Sequence, residues 1–296
     1  MVLLSVAWQT VTDCIRQPFF LISFLLTALI ASALPILSQF SLYDQRKMLL
    51  DSLFGLVFIV GVMLVILLAD HSVGADFSKG RPLLLFSKPI GNTNYVFGKL
   101  VGNVFCLLLF FFFAWLTIVV INTVVYQNFF FNYYRLIAFF VVTLLALTTG
   151  GLVNFYFNKN FSSTTIFVFL LYLFILASSL IFIQRGQASQ LLSMLKVFVL
   201  LVTFVMLYLG FSSFCATIFS IGGQCMMVII FTSIGLFGPS VLPSFNSYWT
   251  VDLFHAQQQI SWAYIFEGML HVLLYQCFFS VLFISWLRHK ELAASK

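Results

Sequence analysis

Long apolar runs separated by short polar breaks organise this chain of 296 residues. The first run, about 19–40, reads FFLISFLLTALIASALPILSQF and has the length of a membrane-crossing helix. Similar runs follow at about 52–69, 101–125, 135–157 and 163–184. From Leu195 to Val241 the apolar stretch is too long for one crossing and is interrupted at Gly222-Gly223-Gln224, so it reads as two spans, about 195–218 and 224–241. A last run, about 263–287, ends at Arg288, His289 and Lys290, a basic stop-transfer signal. The pattern predicts an all-α polytopic membrane helix bundle of about eight spans with both termini cytoplasmic. The alternative is six spans, with 195–241 as a re-entrant or interfacial hairpin. Pro35 predicts a kink in the first span.

The polar breaks fill in the connections. Residues 41–51 (SLYDQRKMLLD) and 242–262 read as extracytoplasmic loops, 126–134 (YQNFFFNYY) as an aromatic interfacial turn, and 158–162 (NKNFS) as a tight cytoplasmic turn. A further break lies at 184–190 (QRGQASQ). Residues 2–17 are amphipathic: Leu4, Trp8, Val11 and Ile15 recur at helical spacing, with Ser5, Gln9, Thr12, Asp13 and Arg16 elsewhere on the wheel. This predicts a helix in the cytoplasmic interface, ended by Pro18, or alternatively an extension of the first span. The segments 135–183 and 196–241 share an outline of two spans around a small-residue break, as an internal duplication would produce.

The longest polar interruption runs from Asp70 to Gly102 and holds Asp70, His71, Asp76, Lys79, Arg81, Lys88 and Lys99. Burying those charges in lipid would cost several kcal/mol each, so the segment belongs in water. Its net positive charge places 70–100 on the cytoplasmic side. In this topology nine of the 14 Lys and Arg residues lie inside, while the acidic residues divide four and four.

Composition narrows the class. At 62% hydrophobic and 7% charged residues the chain carries more apolar surface than a soluble domain can cover. The net charge of +6 is an orientation signal, and no nucleic-acid partner is expected from it. One transmembrane domain, 1–296, accounts for the whole sequence. No small-residue cleavage site follows the first run, so it reads as a span and not as a removed signal. Cys14, Cys106, Cys215, Cys225 and Cys277 are scattered without metal-ligand spacing and read as small apolar residues.

Catalytic signatures are missing. A phosphate loop needs G-x-x-x-x-G-K-[ST], whereas Gly91 and Gly98-Lys99 have the wrong spacing and Leu100 follows. No zinc-binding helix, nucleophile elbow or carboxylate pair is present. Neither catalysis nor a cofactor or metal is therefore expected in this chain. Within the polar segment, Pro82 and Pro89 bound a short apolar stretch, Leu83 to Phe86, too short to span. It reads equally as a short helix displayed for a partner's groove or as a solvated loop with lipid-facing leucines. In the last run Glu267, His271 and Tyr275 follow at i, i+4 and i+8 and share a face. That stripe either lines a translocation path or is a polar seam of helix packing.

The run FSKPIGNTNYVFGKLVG (Phe86 to Gly102) resembles the L-S-K-P-I…Y-V-L-G-K-x2-G signature of ATP-binding-cassette type-2 permeases, a group that includes the nitrous-oxide-reductase maturation permease. AWQTVTDCIRQPFF (7–20) is similar to the family's opening interfacial helix. PSFNSYWTVDLF (243–254), ISWAYIF (260–266) and the terminal RHKE resemble its P-x-F-x-x-[FY] loop, I-P-W-x-Y motif and basic tail. The family's glutamates and Arg-Thr pair before the loop are replaced here: Asp76 stands at the first acidic position, Ser78 at the second, and Gly80-Arg81 in the Arg-Thr place.

The resemblance implies the permease subunit of an exporter in a bacterial cytoplasmic (inner) membrane. It would pair with a second permease subunit, as a homodimer or heterodimer, and with a cytoplasmic ATPase subunit that holds ATP and Mg. Coupling to that ATPase would fall on Asp76, Leu84, Leu85, Phe86, Lys88, Pro89, Gly98 and Lys99. Family members export lipids, polysaccharides, drugs or maturation factors, so the resemblance implies export without naming a substrate. The alternative is a membrane-embedded enzyme or an assembly factor without transport activity.

Overall fold

The computed structural model describes residues 2–40, 44–78, 91–127, 130–183, 188–237, 248–250 and 260–294. An N-terminal helix, α1 (Val2–Arg16), precedes α2 (Pro18–Ser38), with Pro18 at the first helical position, where its missing N–H is harmless. Then come α3 (Gln45–Ala69), a π-helical turn (Asp70–Gly74), the single turn α4 (Ala75–Ser78) and α5 (Asn92–Asn122). A small antiparallel hairpin, β1 (Val125–Gln127) with β2 (Phe130–Phe131), leads to α6 (Tyr133–Phe157) and α7 (Phe161–Ile183). The chain continues through α8 (Ala188–Cys215), α9 (Ile221–Phe237) and α10 (Trp262–Ala294). Seven of these helical stretches are long and apolar enough to cross a membrane, and α9 is a shorter apolar helix. The chain is an all-α, polytopic membrane helix bundle.

Contacts between helices set their directions. Gly61 of α3 lies against Phe111, and Ser72 bonds Asn103, so α3 and α5 are antiparallel. Phe58 stacks on Phe204 at 5.1 Å, and a Cβ on Gly74 would lie 3.5 Å from Ala216 O, so α3 and α8 run the same way. α10 is also parallel to α8: Lys196 Nζ donates to Ile260 O, Gly268 abuts Leu200, and Gln276 Nε2 donates to Met206 O. Two parallel neighbours need a return element between them, and α9 begins that return, with Phe231 stacked on Phe211 at 4.4 Å. Its 17 residues span roughly 25 Å, less than the ~30 Å hydrocarbon core. Phe-rich packing fills the centre, where Phe20, Phe24, Phe110, Phe113 and Phe169 are fully buried.

Several expectations change. The second span does not end at residue 69. Its helix passes through the π-turn to Ser78, and the next begins at Asn92, so Asp70, His71, Asp76 and Lys99 of the expected 70–100 loop are helical. Residues 45–51, expected in an outer loop, form the first turns of α3. The break in 195–241 falls at residues 216–220, and Gly222-Gly223-Gln224 open α9. Within the expected extracytoplasmic loop 242–262, Tyr248 and Thr250 are buried, with the Tyr248 ring stacked on Phe204 at 5.3 Å beside the middle of α8. Asp70, Asp76, Lys99 and Gln224 find protein partners, which overrides the pull of water on those polar positions; Tyr248 is held instead by its ring contact with Phe204. Pro35 sits in the last turn of α2, near the helix end at Ser38. The basic residues after 287 continue α10.

Other expectations match the structure. Asn158 adopts φ 53° and closes α6 in the left-handed conformation, while Asn160 Oδ1 accepts from Ser163 N to open α7. This is the tight turn expected at 158–162. Turn 158–160 and turn 216–220 share the end that carries Asp76, whereas Lys47 and Tyr134 lie at the other. In a cysteine-free background, Lys159→Cys and Ser220→Cys should resist an impermeant maleimide added to intact cells, and Lys47→Cys and Tyr134→Cys should label. The reverse pattern overturns the cytoplasmic placement of that end.

Candidate functional site at the inner end of the bundle

The residues flanking the 79–91 stretch meet across two antiparallel helix ends. Lys99 Nζ lies 3.0 Å from Asp76 Oδ2, and Tyr95 OH donates to the same oxygen at 2.9 Å. Tyr95 and Lys99 stand one turn apart on α5, so both reach the single turn α4, and the ammonium sits 5.7 Å from the Tyr95 ring centroid. The ion pair is only 16% and 15% exposed, so it is shielded far more than a surface pair. It ties the outgoing and returning helices together at the foot of the stretch between them.

One helix turn further in, Asn103 Nδ2 donates to Ser72 Oγ at 2.8 Å, with Asn103 fully buried. On the other side of the π-turn, Gln224 Nε2 of α9 donates to Asp70 Oδ1 at 3.0 Å. The π-turn is where the chain places this polarity: widening one turn lets successive residues face α5, α8 and α9. His71 packs its ring edge-on to Phe19 at 5.6 Å.

α1 covers α5 through small residues. A Cβ on Gly98 would stand 2.8 Å from Val6 Cγ1, and one on Gly102 would stand 2.9 Å from Ala7 O and 2.7 Å from Thr10 Cβ. Cys14 and Cys106, one turn on, face each other thiol to thiol. The buried side of α1 is therefore Ala7, Thr10, Val11, Cys14 and Ile15, while Leu4 and Trp8 remain 70% and 67% exposed. The expected apolar face of Leu4, Trp8, Val11 and Ile15 is thus split: one half meets protein and the other is left for lipid.

Of the expected coupling residues, Asp76 and Lys99 come together and Gly98 is a packing contact with α1. Leu84, Leu85, Phe86, Lys88 and Pro89 lie outside the described residues. Glu267 and His271 are exposed, flanked by exposed Phe266, Leu270 and Leu274, and Tyr275 is half-buried near Phe279. Glu267 and His271 thus face away from the bundle's interior, while Tyr275 packs against the core. Tyr95, Asn103 and Gln224 are not among the expected site residues, although an amide within or beside an apolar run is a usable signal for the last two. At the opposite end Arg46 donates to Asn122 Oδ1 at 3.4 Å and to Gln190 Oε1 at 3.2 Å, and Arg135 donates to Thr123 O. Cations there serve as structural donors.

Among the described residues no group of three or more His, Cys, Asp or Glu is placed to hold a metal ion. What the geometry at the Asp76 end offers is mechanical and electrostatic: an ion pair, amide bonds and close helix contacts joining α1, α3, α5, α8 and α9. Neither protein-family models nor curated proteins yield a match to this chain.

Proposed function

We propose that this chain is the permease subunit of an ATP-binding-cassette exporter in a bacterial cytoplasmic membrane. The observation that carries the reading is the Asp76–Lys99 pair with Tyr95, because these residues border or belong to the FSKPIGNTNYVFGKLVG run. A force on the 79–91 stretch reaches α3 and α5 as one body when their ends are tied by that pair. Leu84, Leu85 and Phe86 seat in a groove of a cytoplasmic ATPase subunit, and Lys88 pairs with its acidic rim. ATP and Mg belong to that partner, and two permease subunits complete the exporter. The multi-pass helix bundle supports membrane embedding, and the resemblance supports the rest.

The test is whether an ATPase subunit co-purifies with the chain in mild detergent. Apolar anchors of this kind contribute about 1–3 kcal/mol each. Leu84→Ala combined with Phe86→Ala should strip the ATPase from the complex or uncouple hydrolysis from export, while the permease still inserts. Lys88→Ala should have a smaller, salt-dependent effect. Wild-type assembly and export in the double variant overturn the coupling role, and ATP hydrolysis by the purified chain alone overturns the division of labour.

A further inference from the structure

We propose that the inner end of the bundle binds a monovalent alkali cation, Na+ or K+, between Asp70, Gln224 and the carbonyl end of α8. The inference starts at Gly74, the last residue of the π-turn. A Cβ there would stand 2.9 Å from Asp70 Oδ1 and 3.5 Å from Ala216 O. The glycine therefore borders a point flanked by a carboxylate oxygen and a backbone carbonyl oxygen. Ala216 directly follows the last residue of α8, Cys215, at the negative end of that helix's dipole. Two partial or full negative charges converge there, and no described cation lies within ion-pair distance of Asp70.

Gln224 sharpens the assignment. It is fully buried, and its Nε2 donates to Asp70 Oδ1 at 3.0 Å and to Phe219 O at 3.4 Å, which uses both N–H groups. Its Oε1, on the same planar amide, is buried without a donor among the described residues. Ser212 is also fully buried with an unpartnered Oγ, one turn before Ala216 on α8. Leaving such oxygens unmet costs more than an ordinary hydrogen bond returns. With the Asp70 carboxylate and the Ala216 carbonyl that flank Gly74, Gln224 Oε1 and Ser212 Oγ would complete a set of four hard oxygens with a single full charge. Divalent sites recruit more carboxylate charge. A potassium- or sodium-sized ion balances the charge and satisfies the orphaned oxygens together. A buried water satisfies the oxygens and leaves the charge, which is the competing occupant.

Occupancy would pin the π-turn to the 216–224 turn, so the cation would stiffen the inner end independently of any ATPase. The purified full chain, in detergent, is melted by tryptophan fluorescence while NaCl or KCl replaces choline chloride at constant ionic strength. The expected result is a saturable rise in Tm on the order of 2–4 °C with Na+ or K+ and none with choline. Gln224→Leu and Asp70→Asn should abolish the rise. Should either fail to fold, Ser212→Ala removes one oxygen and no charge, and should raise the half-saturating concentration roughly tenfold. Identical curves in all three salts mean a water-filled site and overturn the proposal. A saturable rise that survives Gln224→Leu, or an unchanged half-saturation in Ser212→Ala, overturns it too.

Discussion

Gly102→Leu should release α1 from α5 and expose Cys14 to maleimide. In the native packing Cys14 is 1% exposed, and the approach of α1 depends on positions 98 and 102 having no side chain. At Gly102 a Cβ would meet Ala7 O at 2.9 Å as well as Thr10. A backbone carbonyl cannot be trimmed by a second substitution, so Thr10→Ala should not restore the contact. Overpacking of this kind costs about 1–3 kcal/mol, enough to lift a short terminal helix that has few other anchors. In a background lacking Cys106, Cys215, Cys225 and Cys277, labelling should rise from near zero to near completion in minutes. Continued protection of Cys14 would mean that α1 is held by contacts other than this small-residue seam.

Asp76→Leu should cost about 3 kcal/mol of stability, the low end for breaking a largely buried ion pair by removing one partner. It leaves the Lys99 ammonium over the Tyr95 ring with no described carboxylate in reach. The double variant Asp76→Leu/Lys99→Met should recover most of the loss, because no charge is then stranded. Tyr95→Phe alone should cost about 1–2 kcal/mol, since its hydroxyl bonds a charged acceptor. Thermal melts of the native protein, Asp76→Leu, Lys99→Met and the double variant give the cycle directly. If the single and double variants lose the same stability, the two ends of the 79–91 stretch are not energetically joined.

The membrane class and most spans were legible because apolar runs of bilayer length have few other readings. The turn at 158–160 was legible for a local reason: asparagines flank it and can take the left-handed and capping positions. Less legible was where polar residues would sit once partners were available. Asp76, Tyr95 and Lys99 look like loop residues one by one, but as a trio they can stay helical at a membrane boundary. The same holds for Gln224, which reads as part of a break until Asp70 is placed opposite it. Gly98, a coupling residue by resemblance, also permits the close approach of α1, which its sequence context does not announce. Periodicity locates the α1 helix but does not divide its apolar face, because Leu4 and Trp8, which stay exposed, are as apolar as Val11 and Ile15, which meet protein.

The parallel pairing of α8 with α10 sets an order of events during synthesis. The groove on α8 that holds Lys196 and Gly210 is filled by Ile260, Trp262 and Gln276, which are made roughly 65 residues later. At ~5–20 residues per second that is a wait of roughly 3 to 13 s. Throughout it α8 can lean only on helices already made, chiefly α3 through Phe58 and Gly61, and Lys196 lacks its carbonyl acceptor. A nascent chain stalled anywhere in that interval presents a half-covered helix with a stranded cation, the kind of intermediate on which membrane chaperones and quality-control proteases act.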